Sequence, residues 1–581
     1  MNTGIRASEE NTFRANATVA AGRPSRGIFA WIRRHPQLFL ALLTVACLLP
    51  FSGKAFHIDD PIFIWTAQHI VHHPLDFYGF NATWWWLTTP MWQVQQNPPL
   101  AAYYMALIGS LAGWSESALH LGFLLPAVVV VLATYHLARR FTHSPFIAAA
   151  ATLVAPGFLV SATSLMCDVS MLALWMLAIV FWLKGLDTEQ GRPRYLASAA
   201  VLMALCALTK YFGMALLPLL FAYSLFRRRS FRPWLGYLLI PVAMWGGYEI
   251  YTHHLYGHGL IGQAFTFKSQ VRAQETPFGR ALVGLAFAGG CALPALTFVP
   301  ALWSRRQMLW GAAVSAILAL SFWRGWISLG TVYKYQRWFQ VRSPWVPEQM
   351  FFYIAGAISL LALALSDSWK KRDAASLLLL LWVLGTMFFA IVVYWTVNAR
   401  SLLPMLPAVA ILIVRRLEDR ETSLGKLRWA ALAVPLIISG AIALWVAAGD
   451  MALAKTAREA AGYIHEKTRE DTSAVWFEGR WGFEYYMQEF GARPLEPDVY
   501  RCKFGDLVVI PQYNTALAPV GMKVATPEHV DFKVHTWITT MNPDVGAGFY
   551  FSGWGPLPFV FGPVPQQKYL MARVLENGNG Q

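Results

Sequence analysis

The chain has 581 residues, of which 56% are hydrophobic, 15% aromatic and only 14% charged. A composition this apolar excludes an ordinary soluble globular protein and predicts a polytopic membrane protein. The formal net charge is +15. Because the basic residues flank apolar runs, this charge indicates membrane orientation and anionic lipid surfaces rather than nucleic acid, which we do not expect as a partner.

Apolar runs repeat along most of the chain. A hydrocarbon layer of about 30 Å needs roughly 20 apolar residues per helix, and this criterion predicts an all-α fold with about 13 transmembrane helices. The runs cover residues 37–53, 117–138, 145–163, 169–186, 195–209, 211–226, 234–252, 281–303, 308–323, 350–366, 374–396, 401–414 and 429–449.

Basic residues at every second boundary of these runs predict the orientation, since short cytoplasmic loops carry the excess of Lys and Arg. They are Arg33, Arg34, Arg139, Arg140, Lys184, Arg192, Arg194, Arg227, Arg228, Arg229, Arg305, Arg306, Lys370, Lys371, Arg372, Arg415 and Arg416. We therefore expect a multi-pass protein of the cell (inner) membrane. Residues 1–36 form a basic cytoplasmic tail, residues 37–449 the transmembrane domain, and residues 450–581 a small extracytoplasmic α/β domain.

The first outer loop, residues 54–116, is long and aromatic, as functional loops often are. The segment "DPIFIWTAQHIVHHP" is typical of an amphipathic helix in the membrane interface, with Trp84, Trp85 and Trp86 as headgroup-level anchors. A second such helix is predicted to begin at "NPPL", since Pro suits a first helical turn.

Acidic residues on the outer face are candidates for chemistry. Asp59 and Asp60 open the interfacial helix, where they serve either as helix caps or, for one of them, as a general base. Asp168 precedes the fourth apolar run and is either a helix cap or a functional acid at membrane depth. Asp59 and Asp168 together are also candidate ligands for a divalent metal ion such as Mg, Mn or Zn.

Lys210 and Arg400 are lone cations at the outer ends of apolar runs. Such side chains either extend to the interface or bind an anion. The positive-inside rule disfavours lone cations on this face, so their presence favours an anionic ligand such as a phosphate.

Together these motifs resemble the membrane-embedded C-type (GT-C) glycosyltransferases, in particular the protein mannosyltransferase and lipid A aminoarabinose transferase superfamily. The resemblance covers roughly residues 38–416. The matching residues are the acidic pair Asp59 and Asp60, the helix start Pro98, Pro99 and Leu100, the lone Asp168, the turn Leu208, Thr209 and Lys210, and Arg400 with Leu403, Pro404 and Pro407.

The resemblance implies an inverting transferase that moves a sugar from a polyprenyl-phosphate donor to a hydroxyl group of a lipid, polysaccharide or protein acceptor. Asp59 matches the catalytic carboxylate, with Asp60 beside it, and Lys210 and Arg400 are expected at the donor phosphate. The substrate loop is expected at Asn97, Pro98 and Pro99.

Two positions depart from the family pattern, because Asn97 and Ile62 stand where relatives often carry basic residues near the donor phosphate. Cations in later outer loops are candidates to take over the contacts with the donor phosphate. The candidates are Lys268, Arg272, Arg280, Lys334 and Arg337.

Two other classes of function remain open from the sequence. Lone charges near membrane spans also mark the substrate path of a transporter, although the inverted repeats expected of that class are not visible. Alternatively, the carboxy-terminal domain acts as a binding module and the spans anchor it.

Overall fold

The computed structural model describes residues 31–32, 34–188, 192–229, 233–271, 276–327, 344–424, 429–496, 501–518 and 521–576. The predicted tail therefore falls almost entirely outside the described residues. Within them, every predicted apolar run is largely helical. The α-helices are Pro36–Leu48, Asp60–His72, Met91–Val94, Leu100–Ala112, Glu116–Ala138, Pro145–Leu153, Pro156–Ala162, Cys167–Gly185, Pro193–Thr209, Leu216–Arg228, Trp234–Tyr237, Leu239–Tyr256, Leu260–Val271, Pro277–Cys291, Pro294–Thr297, Val299–Leu302, Arg305–Trp323, Val346–Lys371, Ala374–Phe388, Ala399–Leu402, Leu406–Leu424, Trp429–Thr468 and Trp481–Glu489.

Fewer helices than predicted are long and apolar enough to cross a membrane alone. In the described part of the chain five qualify, and a sixth if the bent pair Pro145–Leu153 and Pro156–Ala162 counts as one span. The structure therefore supports a multi-pass membrane protein without confirming about 13 spans. Short length explains part of the difference, since apolar helices such as Pro193–Thr209 are too short to cross alone. Proline accounts for the break before Pro156, because it lacks an N–H group and cannot continue a preceding helix. Helices begin at Pro145, Pro156 and Pro277.

The first outer loop contains both predicted helices, Asp60–His72 and Leu100–Ala112. Between them lies an antiparallel hairpin of β1 (Asn81–Thr83) and β2 (Thr88–Pro90), which the sequence analysis did not predict. Trp84, at the end of β1, is buried rather than a headgroup anchor, with its ring edge against Trp65 and its carbonyl bound by Arg480. Trp86 remains 50% exposed.

The last long helix, Trp429–Thr468, joins the membrane part to the carboxy-terminal domain. Its 40 residues extend for about 60 Å at 1.5 Å per residue. The helix passes without interruption through position 449, where the sequence analysis placed a domain boundary. Asp450 consequently lies within this helix and is fully buried.

The carboxy-terminal domain has the expected mixture of helix and strand. Its five-stranded sheet has the order β4-β3-β5-β11-β6, with β3 parallel to β4 and β5, and β11 antiparallel to β5 and β6. The strands are β3 (Val475–Phe477), β4 (Arg493–Pro494), β5 (Leu507–Pro511), β6 (Glu528–Phe532) and β11 (Gln567–Arg573). Short strands in two separate pairs lie between β6 and β11: β7 (Ile538–Thr539) with β10 (Val560–Phe561), and β8 (Met541–Asn542) with β9 (Ala547–Gly548).

The predicted orientation is open to a labelling test. Trp86→Cys should react with a membrane-impermeant thiol reagent added to intact cells, because Trp86 is exposed in the outer loop. Arg227→Cys, at the exposed end of helix Leu216–Arg228, should react only after the cells are opened. The native chain is the control, since its cysteines are buried except for the half-buried Cys47. Labelling of Arg227→Cys in intact cells would contradict the topology.

Candidate active site

Asp59 lies at the junction between the first loop segment and helix Asp60–His72. Its side chain makes no capping hydrogen bond to that helix, so the helix-cap interpretation does not hold for Asp59. The preceding Ile58 has a φ of +48°, which is strained for a β-branched residue. Such strain is found where the surrounding structure fixes a side chain for function. Here it accompanies a carboxylate that points toward Arg400, with 3.0 Å between Asp59 Oδ2 and Arg400 Nη2.

Asp60 has a different environment from its neighbour. It is fully buried, and its two carboxylate oxygens each accept a backbone hydrogen bond of 2.9 Å, from the N–H groups of His57 and Leu165. Burial raises the pKa of Asp60 to about 7, against the opposing effects of Lys54 and of these two hydrogen bonds. Asp60 therefore fastens the loop that precedes Asp168 to the start of the Asp59 helix. Its predicted catalytic role stays a prediction.

Asp168 and Lys210 meet because their helices run in opposite directions. Asp168 lies in the first turn of Cys167–Gly185, and Lys210 follows the last turn of Pro193–Thr209. A short connection joins the far ends of these two helices, which places the beginning of one beside the end of the other. Asp168 Oδ1 accepts a 2.5 Å hydrogen bond from Lys210 Nζ, and the exposed fractions of the two side chains are 1% and 8%. Each charge also suits the helix terminus that it occupies.

Arg400 joins the two carboxylates into one group. Its guanidinium lies 3.0 Å from Asp59 Oδ2 and 3.8 Å from Asp168 Oδ2. The short helix Ala399–Leu402 carries it, and Asn398 caps that helix by accepting a 2.8 Å hydrogen bond from the Ser401 N–H. We call Asp59, Asp168, Lys210 and Arg400 the charged cluster. The structure thus brings together four residues that the sequence analysis had selected separately.

The charged cluster retains hydrogen-bonding capacity. Asp168 Oδ2 and Arg400 Nε are buried without a hydrogen-bond partner in the described part of the protein. Buried polar atoms in native proteins are normally paired with protein or water. The cluster therefore offers two cationic side chains and unused polar atoms to a polar ligand.

The predicted metal site at Asp59 and Asp168 fits this geometry poorly. Asp59 is paired with Arg400 and Asp168 with Lys210, so cations already neutralise both carboxylates. Among the described residues no group of three or more His, Cys, Asp or Glu side chains is arranged to hold a metal ion. Metal dependence stays a prediction, and we derive no step through a metal ion.

The predicted substrate loop is ordered by its own polar contacts. Asn97 donates from its side-chain amide to Gln95 Oε1 at 3.2 Å, and its carbonyl accepts a 2.5 Å hydrogen bond from the Tyr78 hydroxyl. Pro98 and Pro99 are buried immediately before helix Leu100–Ala112. No hydrogen bond links Asn97 to the charged cluster within the described ranges.

Of the five candidate cations for the donor phosphate in later outer loops, only the side chain of Arg280 lies in the described part of the chain. Arg280 is buried and donates to the backbone carbonyls of Ile391, Tyr394 and Trp395, so its visible role is to stabilise that chain segment. Arg272, Lys334, Arg337 and the side chain of Lys268 lie outside the described residues.

Sequence reasoning missed a second buried group beside the charged cluster. Lys54 Nζ lies 2.6 Å from Asp450 Oδ2, and both side chains are fully buried. Tyr550, from the carboxy-terminal domain, donates a 2.7 Å hydrogen bond to Asp450 Oδ2. A lone Lys just after the first apolar run and a lone Asp just after the last one were visible signals. Their pairing was not visible, since 396 positions separate them.

Comparison with known proteins gives one sequence match and several distant structural ones. Residues 96–246 match the family model of dolichyl-phosphate-mannose-protein mannosyltransferases. This stretch contains Pro98, Pro99, Asp168 and Lys210, but neither Asp59 nor Arg400. No curated protein sequence matches the chain.

The structural neighbours have low identity. The Archaeoglobus fulgidus oligosaccharyltransferase tethered with an acceptor peptide aligns with a TM-score of 0.47 and 13% identity, over 80% of this chain and 64% of that one. ArnT from Cupriavidus metallidurans bound to undecaprenyl phosphate aligns with a TM-score of 0.40 and 14% identity, over 84% and 94%. The A. fulgidus oligosaccharyltransferase AglB in complex with an inhibitory peptide and a dolichol-phosphate gives 0.48 and 13%, over 83% and 70%.

The chain thus spans less than two thirds of the length of the first of these proteins. The sequence match covers fewer residues, but it contains three of the motifs on which the resemblance was based. The match over residues 96–246 therefore confirms the resemblance to the protein mannosyltransferases of the GT-C glycosyltransferase superfamily.

Proposed function

We propose that the protein is an integral membrane glycosyltransferase that transfers a sugar from a polyprenyl-phosphate donor to a hydroxyl acceptor at the outer face of the cell membrane. The charged cluster supports this proposal because it combines a reachable carboxylate with two cations. The match to a family named for a dolichyl-phosphate sugar donor supports it as well.

One observation carries the assignment of the general base. The Asp59 side chain is 28% exposed, whereas Asp60 is fully buried and Asp168 is 1% exposed. Asp60 holds two backbone N–H groups and Asp168 holds Lys210, whereas the partner of Asp59 is Arg400, which the donor phosphate is proposed to attract. Asp59 is therefore the carboxylate that an acceptor hydroxyl reaches.

The proposed reaction is a single displacement. The acceptor oxygen attacks the anomeric carbon and forms the new glycosidic bond while its proton passes to Asp59. The bond between the anomeric carbon and the phosphate oxygen breaks on the opposite face, and the electron pair leaves with the polyprenyl phosphate. Attack opposite to the leaving group inverts the configuration at an oxocarbenium-like carbon. The transferred sugar is a hexose or a pentose.

Arg400 is proposed to receive the negative charge that develops on the departing phosphate. A planar guanidinium binds phosphate through two hydrogen bonds, and such donors act strongly in a site that excludes water. Arg400 is also paired with Asp59. Movement of Arg400 toward a bound donor phosphate would therefore release the Asp59 carboxylate to take a proton. Lys210 holds Asp168 and keeps the cluster neutral before the donor arrives.

Transfer of a radiolabelled sugar by the purified protein is the measurement that tests this function. Purified full-length protein in lipid nanodiscs is incubated with a panel of radiolabelled polyprenyl-phosphate hexoses and pentoses and with membrane extracts as a source of acceptors. Transfer of label to a lipid, glycan or protein fraction supports the proposal and identifies the acceptor class. Label that crosses sealed vesicles without forming a new product would instead indicate a transporter. Repeating the assay with a chelator tests the predicted metal requirement separately.

Asp59→Asn should reduce turnover by a factor of about 10² to 10⁴, because asparagine keeps the shape but cannot accept the proton. Donor affinity should not weaken, since Arg400 loses a competing carboxylate and keeps its charge. Turnover is measured on equal amounts of folded protein, and donor affinity by titration with the polyprenyl phosphate. Near-normal turnover would move the base to another acid.

Asp60→Asn should act mainly on stability. Asparagine offers one acceptor oxygen to two backbone N–H groups, and loss of one buried hydrogen bond costs about 1–3 kcal/mol. The apparent Tm in detergent should therefore fall relative to that of the native chain.

The decrease in apparent Tm caused by Asp60→Asn should also depend on pH. Because the pKa of folded Asp60 is raised to about 7, the folded state binds the proton more tightly than the unfolded state. The resulting stabilisation is present at low pH and is lost as the pH rises from about 4 to about 7. Asparagine does not titrate, so the Tm difference between the native chain and Asp60→Asn should narrow over this interval. A difference that widens would contradict this environment for Asp60.

Arg400→Lys should weaken donor binding about tenfold, equivalent to about 1.4 kcal/mol, because lysine keeps the charge but not the two-pronged contact with phosphate. The retained charge continues to neutralise Asp59 and Asp168. Arg140→Lys is the matched control, since Arg140 makes a paired contact of 2.9 and 2.7 Å with Asp187 away from the cluster. Equal affinity losses in both variants would argue against a phosphate contact at Arg400.

A further inference from the structure

A segment of the carboxy-terminal domain lies against the chain that carries Arg400. We call residues 547–555 the docking segment; it contains β9 and the 3₁₀ turn Ser552–Trp554. The Ala399 N–H donates to the Phe549 carbonyl and the Ser552 N–H donates to the Val397 carbonyl, each at 2.9 Å. The backbone immediately before Arg400 is thus fastened to the carboxy-terminal domain.

Tyr550 is the side chain of the docking segment that reaches the charged cluster. The Arg400 guanidinium lies over its ring, with 5.5 Å from Cζ to the ring centroid. The Tyr550 side chain is itself buried, and its hydroxyl donates a 2.7 Å hydrogen bond to Asp450. The hydrogen bond therefore fixes the hydroxyl end of the Tyr550 ring, and the face of the ring contacts the Arg400 guanidinium.

Asp450 is held in turn from several directions. Lys54 Nζ lies 2.6 Å from one carboxylate oxygen, and the Thr540 hydroxyl donates to the other. Lys54 also donates to the Thr163 carbonyl at 3.0 Å, in the loop that leads to Asp168. This buried pair thus connects the first outer loop, the last long helix and the carboxy-terminal domain.

We propose that Tyr550 is a positioning residue, through which the carboxy-terminal domain holds Arg400 in place to bind the donor phosphate. This inference rests on the proposed function. An aromatic face attracts a guanidinium most strongly where water is excluded, and the anchored ring restricts the positions that the flexible Arg400 side chain can adopt. The domain is on this view part of the donor site and not an independent binding module.

A positioning role differs from a purely structural one in its dependence on Arg400. If Tyr550 acts through the guanidinium, its replacement matters only while the guanidinium is present. If Tyr550 merely fills space between the domains, its replacement lowers donor affinity to the same degree whether residue 400 is Arg or Ala. A double-mutant cycle separates these two cases.

The test uses the full-length protein in lipid nanodiscs, with undecaprenyl phosphate as the titrated probe. Tyr550→Leu should weaken binding about threefold to thirtyfold, the range expected for loss of a buried cation–π contact. Tyr550→Phe keeps the ring and should lose much less. In the Arg400→Ala background, Tyr550→Leu should have no further effect.

Tyr353→Leu is the matched control. Tyr353 is also a buried tyrosine that contacts the carboxy-terminal domain, through a 3.2 Å hydrogen bond to the Phe559 carbonyl. Its replacement should leave binding of undecaprenyl phosphate unchanged. An equal loss in Tyr353→Leu and Tyr550→Leu would overturn the proposal, because general loosening of the domain contact would then explain both.

A shape-conserving variant keeps the proposal testable if Tyr550→Leu fails to fold. Incorporation of 3,5-difluorophenylalanine at position 550 preserves the ring but reduces the negative charge of its face, so binding should be weaker than in Tyr550→Phe. Equal affinities in these two variants, or an additive double-mutant cycle, would overturn the inference alone. Absence of undecaprenyl phosphate binding by the native chain would overturn the proposed donor and this inference together.

Discussion

The pairing of buried charges at helix ends is the constraint on which the rest of the site depends. Moving an ion from water into an apolar interior costs several kcal/mol even after the protein relaxes, unless a counter-charge and hydrogen bonds compensate for the lost hydration. Asp168 meets this condition through Lys210 and, at a longer distance, Arg400. The same Arg400 compensates Asp59, so one guanidinium serves two carboxylates.

In the proposed function, this sharing makes the charged cluster responsive to an anion. Two carboxylates and two cations sum to zero charge, and of the two carboxylates beside Arg400 one lies at 3.8 Å. An arriving phosphate competes for the guanidinium with better geometry than a single carboxylate oxygen offers, because it presents several oxygens to a planar fork. Binding of the donor and activation of the base would then be one event.

The sequence predicted local features well and tertiary pairings poorly. Apolar runs correspond to helices. The start at Asp60 follows from Pro61 in the first turn, and the helix that starts at Leu100 directly follows Pro99 as its N-cap residue. Asp59, Asp168, Lys210 and Arg400 were selected from their positions at the ends of apolar runs and from the family resemblance. The partners themselves were not predictable, since nothing local states that Arg400 reaches Asp59 from 341 positions away.

Two further differences between prediction and structure, the burial of Trp84 and the number of spans, also arise from tertiary structure. The burial of Trp84 depends on Trp65 and on Arg480 of a distant domain, and hydropathy alone therefore assigned Trp84 to the lipid interface. The predicted number of spans was not confirmed because several apolar helices are short and because the run 145–163 bends by 60° at the break before Pro156. A window average does not register such breaks.

The two adjacent aspartates illustrate how helix geometry divides chemical roles. Successive residues around a helix start point in directions about 100° apart, so two neighbouring side chains cannot face the same environment. Asp60 points inward and binds the N–H groups of His57 and Leu165. This contact fixes the loop before Asp168 against the start of the helix and thereby sets the distance between Asp59 and the other members of the charged cluster. The buried Asp60 thus supports the position of the partly exposed Asp59, which is paired with Arg400 and is proposed as the base.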